Sequence, residues 1–280
     1  MKIALYYRHI DTDAEPSLRQ LTEQLHRRGI ETCELRDGAD PAGCDFLFSI
    51  GGDGTLLSSI QFIGSDDPGR FPPVLGINFG HLGFLTTVGK ENLDSLVDEL
   101  LEGRYTIEER TLLQLSVAPA PRGGDAQESP RALSHCLNEV FVHRTEEASL
   151  LKTEVYVNGD YVATYAGDGV IVATPTGSTA YSLSCGGPIL TPDSRCLLIT
   201  PISAHTLTLR PVIVPDTAEI RLRVNSDCFL GRDSSRATLG AASEIDVRRA
   251  PFTIRLVRLG HQNFYSAIRE KLMWGTEVRG

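Results

Sequence analysis

Over the first hundred residues, short apolar runs alternate with stretches whose apolar positions recur every three or four residues. Ile3 to Tyr7, Ile30 to Leu35, Phe46 to Ile50 and Val74 to Asn78 predict strands. Glu15 to Arg28, with Leu18, Leu21 and Leu25 on one face and Gly29 at its end, predicts a helix, as do Leu56 to Ile63 and Glu91 to Glu102. In the last of these, Leu93, Leu96, Val97, Leu100 and Leu101 make one apolar stripe. Such alternation predicts a mostly parallel sheet covered by helices.

After residue 105 the period becomes two. Glu154 to Val157 and Tyr161 to Thr164 flank Asn158-Gly159, a pair suited to a type I′ hairpin turn because both central residues need positive φ. Ile220 to Val224 and Thr253 to Val257 alternate in the same way. The expected fold is therefore an α/β N-terminal domain with a mostly parallel sheet, residues 1–105, followed by a mainly antiparallel β C-terminal domain, residues 106–261. Pro119 to Arg131 is polar and rich in breakers and predicts a mobile hairpin loop. Phe264, Ile268, Leu272 and Met273 predict a terminal helix.

Two segments carry candidate chemistry. Asp45 to Ile50 is an apolar run that stops at Gly51-Gly52-Asp53-Gly54-Thr55. Three glycines around one carboxylate allow positive φ and close backbone approach to phosphate oxygens, with Thr55 placed to cap the helix that follows. A tight turn with a capping Asp is the plain alternative. Gly167-Asp168-Gly169 leads through Val170 to Ala173 into Thr174-Pro175-Thr176-Gly177-Ser178-Thr179-Ala180-Tyr181-Ser182. This cluster of short hydroxyl residues suits a ribose or amide ligand lying against backbone, or else forms a Ser/Thr turn.

In that order, with Asn138-Glu139 between them, the two segments resemble the NAD kinase family. Gly76 to Leu85 and Ala204 to Pro211 match as well, so the resemblance covers most of residues 45 to 275. It implies transfer of the γ-phosphoryl group of ATP, with Mg²⁺ carried mainly by the ATP, to the 2′-hydroxyl of the adenosine ribose of NAD. Residues 1–105 then form the donor-phosphate domain, with 262–280 packing back on it, and 106–261 the NAD-binding domain. The ligand is expected between the two.

Under the resemblance Asp53 is the catalytic residue. An ordinary carboxylate near pKa 4 is a poor base for a sugar hydroxyl, which ionises roughly eight units higher, so Asp53 orients the hydroxyl and takes its proton late. Gly51, Gly52, Gly54 and Thr55 are assigned to donor phosphate. Asn138 and Glu139 are assigned to the adenosine end of NAD, with Asp53, Gly54, Asn78, Phe79, Phe84, Ala166 and Asp168 as further contacts. Thr179, Ala180, Tyr181, Ser182, Leu183 and Ser184 hold the rest of the dinucleotide. His205 reads as a hydrogen-bonded structural histidine. Many family members carry a large polar residue two places before the Gly-flanked aspartate, where this chain has Ala166. That loss opens the choice between NAD and NADH and between donors. Gly231-Arg232-Asp233-Ser234-Ser235 replaces the family's usual Asp-Gly, so no ligand role is carried onto it.

Composition narrows the partners. A net charge of −9 argues against broad nucleic-acid or acidic-membrane surfaces. The chain has no apolar run of membrane-spanning length and no signal-peptide pattern, and its 6 cysteines lack Cys-x-x-Cys spacing. Free thiols in the cytoplasm are expected. Mixed-charge strand edges, together with the resemblance, imply a homodimer or homotetramer. Two other classes stay open: another kinase with a Gly-Gly-Asp-Gly turn, acting on a lipid or sugar phosphate, and a non-catalytic dinucleotide sensor.

Overall fold

Every strand expected in the first hundred residues forms, and every pairing between them is parallel. In the computed structural model, which describes residues 1–9, 12, 14–36, 40–63, 68–80, 83–118, 131–260 and 263–274, the elements begin with β1 (Lys2–Tyr6), α1 (Glu15–Arg27), β2 (Glu31–Glu34) and β3 (Phe46–Ile50). They continue with α2 (Asp53–Ser59), β4 (Val74–Asn78), β5 (Val88–Gly89) and α3 (Leu93–Leu101). The order β4-β3-β1-β2 is parallel throughout, with β5 beside β4. Ile3, Phe46, Phe48, Leu75 and Ile77 bury one core with Leu21 and Leu25 of α1 and Leu93, Leu96, Val97 and Leu100 of α3. At about 1.5–3 kcal/mol for each large side chain buried, this stripe outweighs helix propensity as the reason the helices form. Leu101 is 43% exposed, a correction to the five-residue stripe. It lies about 80° round the helix from Leu93, at the stripe's edge.

The second half begins with β6 (Tyr105–Ala118), β7 (Arg131–Cys136), β8 (Glu139–Arg144), β9 (Leu151–Val157), β10 (Asp160–Gly167) and β11 (Gly169–Ala173). It continues with α4 (Tyr181–Ser184), β12 (Cys196–Ile202), β13 (Val212–Pro215), β14 (Ile220–Val224), β15 (Cys228–Arg232), β16 (Ser235–Leu239), β17 (Glu244–Leu259) and α5 (Phe264–Lys271). The chain divides into two compact units, Met1–Glu109 with Ile254–Gly280, and Arg110–Thr253, and passes between them within β6 and β17. In the first unit Leu256 of β17 pairs in parallel with Val74 of β4.

The second unit is a sandwich. One layer is an antiparallel sheet of order β13-β12-β11-β8-β15-β16, and the other includes the antiparallel run β10-β9-β14-β17. Val140, Val142, Val170 and Val172 of the first layer pack on Leu151, Val155, Ile220, Leu222, Ile245 and Val247 of the second. Asn158 and Gly159 take φ of 53° and 87°, so the predicted type I′ hairpin between β9 and β10 forms. The loop expected at Pro119 to Arg131 lies, up to residue 130, outside the described residues. Met273, expected on the terminal helix, follows its end with φ of 53° and is 67% exposed.

Candidate active site

All five residues of β3 are buried, and the strand delivers the chain to Gly51, whose φ is 142°. A Cβ on Gly51 would stand 2.4 Å from Thr55 Oγ1, so both the backbone angle and the space select glycine. Gly52 is the N-cap of α2 with φ of −72°, and Asp53 is the first helical residue. Thr55 therefore lies inside the helix, donating its amide to the Gly52 carbonyl at 2.8 Å, and Gly54 is helical too. The sequence reading of three positive-φ glycines with Thr55 as cap is corrected: the bend is completed by Gly51 alone, and the helix starts three residues earlier.

The Asp53 carboxylate is fully oriented. Its Oδ1 accepts hydrogen bonds from the amides of Leu85 (3.1 Å) and Thr86 (3.0 Å) and from Thr86 Oγ1 (3.0 Å), and its Oδ2 accepts from the Phe84 amide at 2.8 Å. A carboxylate offers about four lone pairs, two on each oxygen, so acceptor capacity remains on Oδ2. The loop supplying these donors is closed by Gly83, whose amide bonds to Thr86 Oγ1 at 2.9 Å and to the Thr86 carbonyl at 3.1 Å. Arg258 of β17 holds the same loop from behind, reaching the Phe84 carbonyl at 3.3 Å and the Leu85 carbonyl at 3.4 Å. It also pairs with Glu108 at 2.8 Å. Asn78 ends β4 beside Gly52 and accepts the Gly80 amide at 2.9 Å. Phe79 packs on the core, while Phe84 is half-buried and contributes its amide to Asp53. His81 and Leu82 lie outside the described residues.

In the second unit Asn138 and Glu139 open β8 and are 8% and 5% exposed. Thr174 clasps this turn, its Oγ1 donating to the Leu137 carbonyl at 2.5 Å and its amide to the Asn138 carbonyl at 2.9 Å. Gly177 touches it so closely that a Cβ there would stand 2.1 Å from the Asn138 carbonyl oxygen. The Tyr181 amide donates to the Glu139 carboxyl, whose Oε2 is buried without a partner. Burial first, and the charge of Asp233 second, push this carboxyl up to about 8.

The hydroxyl cluster is spent largely on itself. Ser178 Oγ donates to the Pro175 carbonyl at 2.7 Å and accepts the Leu190 amide at 2.9 Å. Thr179 Oγ1 donates to the Thr176 carbonyl at 3.1 Å, and Ser182 Oγ bonds Thr200 Oγ1 at 2.8 Å. Thr179 and Ser182 thereby shape a 3₁₀ turn over residues 176–179 and the short helix α4, and each hydroxyl keeps acceptor capacity. Ala180 joins the two, Leu183 is half-buried and Ser184 is exposed. Tyr181 stands edge-on to Phe141 with ring centroids 5.4 Å apart.

Residues 8–105 match the ATP-NAD kinase N-terminal domain, and residues 137–259 match the ATP-NAD kinase C-terminal domain. The chain belongs to the ATP-NAD kinase family. It is 37% identical to the NAD kinase of Flavobacterium johnsoniae, with 100% of both chains covered. With the NAD kinase of Porphyromonas gingivalis the identity is 42% over 85% of this chain and 79% of that one. The structure of an NAD kinase from Archaeoglobus fulgidus in complex with ATP matches at TM-score 0.77 and 26% identity, covering 98% of this chain and 99% of that one. Yeast NADH kinase complexed with NADH matches at TM-score 0.87, covering 99% and 89%, and at 24% identity bears on the fold alone. The parallel α/β unit and the antiparallel β unit are the fold expected of an ATP-NAD kinase from the sequence.

In this ATP-NAD kinase the departure at Ala166 has a structural setting. Ala166 is half-buried on β10, and its carbonyl accepts the His205 amide at 2.8 Å. The His205 side chain is exposed, so the hydrogen bond that ties this residue to β10 is made by its backbone. Asp168 is paired: Arg144 Nε of β8 lies 2.6 Å from its Oδ1. That guanidinium holds the Asp168 carboxyl below the usual range. Arg144, Thr86, Arg258 and Asp233 were all missed as site residues. Each acts on a partner remote from it in sequence, which no local pattern discloses.

Proposed function

We propose that this chain transfers the γ-phosphoryl group of ATP to the 2′-hydroxyl of the adenosine ribose of NAD, giving NADP. The observation that carries the reading is the Asp53 carboxylate, held by four hydrogen bonds from residues 84–86 with acceptor capacity left on Oδ2. A hydroxyl that donates to Oδ2 is aligned before reaction and surrenders its proton as the bond to phosphorus forms. The bond from the γ-phosphorus to the bridging oxygen of ATP breaks, and that oxygen leaves on ADP. Preorganisation of this kind needs no rearrangement at the moment of reaction.

Asn138 and Glu139 are assigned the adenosine end of NAD. Glu139 Oε2, buried and unpartnered, supports this, because a sugar hydroxyl would supply the missing hydrogen bond. Gly51 and Gly52 are assigned to the phosphate side, and Asn78 and Tyr181 to the dinucleotide. Among the described residues no three His, Cys, Asp or Glu side chains cluster as a metal-ligand set. Mg²⁺ belongs to the same proposal as an ion arriving on ATP, where it neutralises phosphate charge. Residence in the cytoplasm and homo-oligomeric assembly belong to the same proposal. The 6 free thiols, which suit a reducing compartment, support the first, and the mixed-charge strand edges support the second.

Purified protein with NAD, ATP and Mg²⁺, coupled to a strictly NADP-dependent dehydrogenase, tests the reading. NADP formation that requires all three components is expected. NAD binding without NADP would leave a sensor. Labelled phosphate appearing on a lipid or sugar phosphate instead would replace NAD as the acceptor.

A further inference from the structure

Asp233 stands between β15 and β16, at the tip of their hairpin, with φ of 42°. Its Oδ2 accepts the Leu137 amide at 2.8 Å, and its Oδ1 accepts the amides of Asn138 (2.8 Å) and Glu139 (3.3 Å). Its own amide donates to the Glu139 carbonyl at 3.0 Å. One residue from a distant hairpin thus holds three consecutive amides of the turn assigned to NAD. A left-handed conformation is uncommon outside glycine, though Asp tolerates it better than most. A second observation points to the same place: Glu139 is 5% exposed and its Oε2 has no partner.

We infer that Asp233 is a positioning residue for the acceptor site: it fixes the Asn138-Glu139 turn so that the Glu139 carboxyl presents Oε2 to a ribose hydroxyl. The inference rests on the assignment of Asn138 and Glu139 to NAD, and extends it to a residue onto which the resemblance carries no ligand role. Two carboxyls this close in a poorly solvated place do not both carry charge easily. Asp233, bonded to three amides, is the better placed to remain ionised, and Glu139 the better placed to keep its proton. A protonated Glu139 can donate as well as accept, which suits a hydroxyl that must also act as donor or acceptor. The other titratable groups around the pair are Cys136, Cys185 and Tyr181, which feel the Glu139 charge, and Arg232, which faces Asp233.

The test compares full-length Asp233→Asn and Asp233→Ala with Glu139→Ala, titrating each substrate against saturating partner over a range of pH. For Asp233→Asn the KM for NAD is expected to rise about 10-fold or more, with the KM for ATP changed less than about 2-fold and kcat largely kept. The pH midpoint of kcat/KM for NAD should also fall, because a neighbouring negative charge has gone. Where Asp233→Ala does not fold, Asp233→Asn, which keeps the shape and one acceptor oxygen, decides. A lower melting temperature with both KM values and the pH midpoint unchanged would reduce Asp233 to scaffolding. Equal rises in both KM values would do the same. If Glu139→Ala leaves the KM for NAD untouched, the acceptor assignment itself fails. If Glu139→Ala raises it and Asp233→Asn does not, only the role of Asp233 is lost.

Discussion

Asp53 and Gly83 are packed so closely that a methyl group on Gly83 would lie 1.9 Å from Asp53 Oδ1. The loop can supply its amides to the carboxylate only because residue 83 has no side chain. Gly83→Ala must therefore move either the carboxylate or the loop. A misplacement of about 1 Å at a reacting group can cost roughly 10²-fold, and kcat should fall on that order. A crystal structure of the variant should show at least one of the bonds to Phe84, Leu85 or Thr86 broken. Wild-type kcat in Gly83→Ala would mean that the fixed orientation of Asp53 is not needed.

Asp53→Asn is a harsher change than its near-identical shape implies. Its amide nitrogen would face donors where a carboxylate oxygen now accepts, so at least one loop amide is left unsatisfied. Turnover should fall by roughly 10² or more, and stability by about 1–3 kcal/mol. Thermal unfolding beside steady-state kinetics separates the two losses. NAD binding, measured calorimetrically, should survive. Near-normal kcat would remove Asp53 from the reaction.

Glu139 also sets a pH dependence. Its carboxyl is pushed up to about 8 by burial and then by Asp233, whose own carboxyl burial pushes to about 6. In the unfolded chain a Glu titrates near about 4.3, so between the two values the folded chain holds the proton more tightly. Stability from this group is complete below the unfolded value and is lost as pH rises through about 8. Relative to Glu139→Gln, the wild type should lose stability on the order of a few kcal/mol between acid and mildly alkaline pH. Urea midpoints at several pH values give this difference. Parallel curves for the two proteins would show that Glu139 is ionised in the fold at neutral pH.

Gly177→Ala probes the other face of the same turn. The added methyl would meet the Asn138 carbonyl oxygen at 2.1 Å and disturb the clasp that Thr174 makes on Leu137 and Asn138. The KM for NAD should rise by roughly 5- to 150-fold, corresponding to about 1–3 kcal/mol, with little change for ATP. A KM for NAD within experimental error of wild type would show that the turn relaxes without consequence.

The sequence made the strand into Gly51 and the β9-β10 hairpin legible because periodicity and turn chemistry are local signals. The bends were harder. Which of three glycines takes positive φ depends on what each meets in space, and Thr55 Oγ1 settles it for Gly51. The hydroxyls of residues 174–182 advertised themselves as ligand groups, yet Ser178 and Ser182 bond to Leu190 and Thr200, partners no local pattern discloses. Asp233 reaches Asn138 across 95 positions, and Arg144 reaches Asp168 across 24. A resemblance found these neighbourhoods; only geometry assigned the supporting contacts.

Arg258, which braces the loop behind Asp53, is separated from Leu85 by 173 residues. Synthesis runs from the N-terminus, so the glycine turn, its helix and the Asp53 carboxylate exist long before the arginine that steadies them. An emerging chain can assemble the parallel strands early while the Asp53 carboxylate remains unaimed. The capacity to move phosphate is then acquired at the end of translation, and a chain released before β17 should form NADP far more slowly than the full-length protein. Undiminished NADP formation by such a fragment would show that the loop holds its shape unaided.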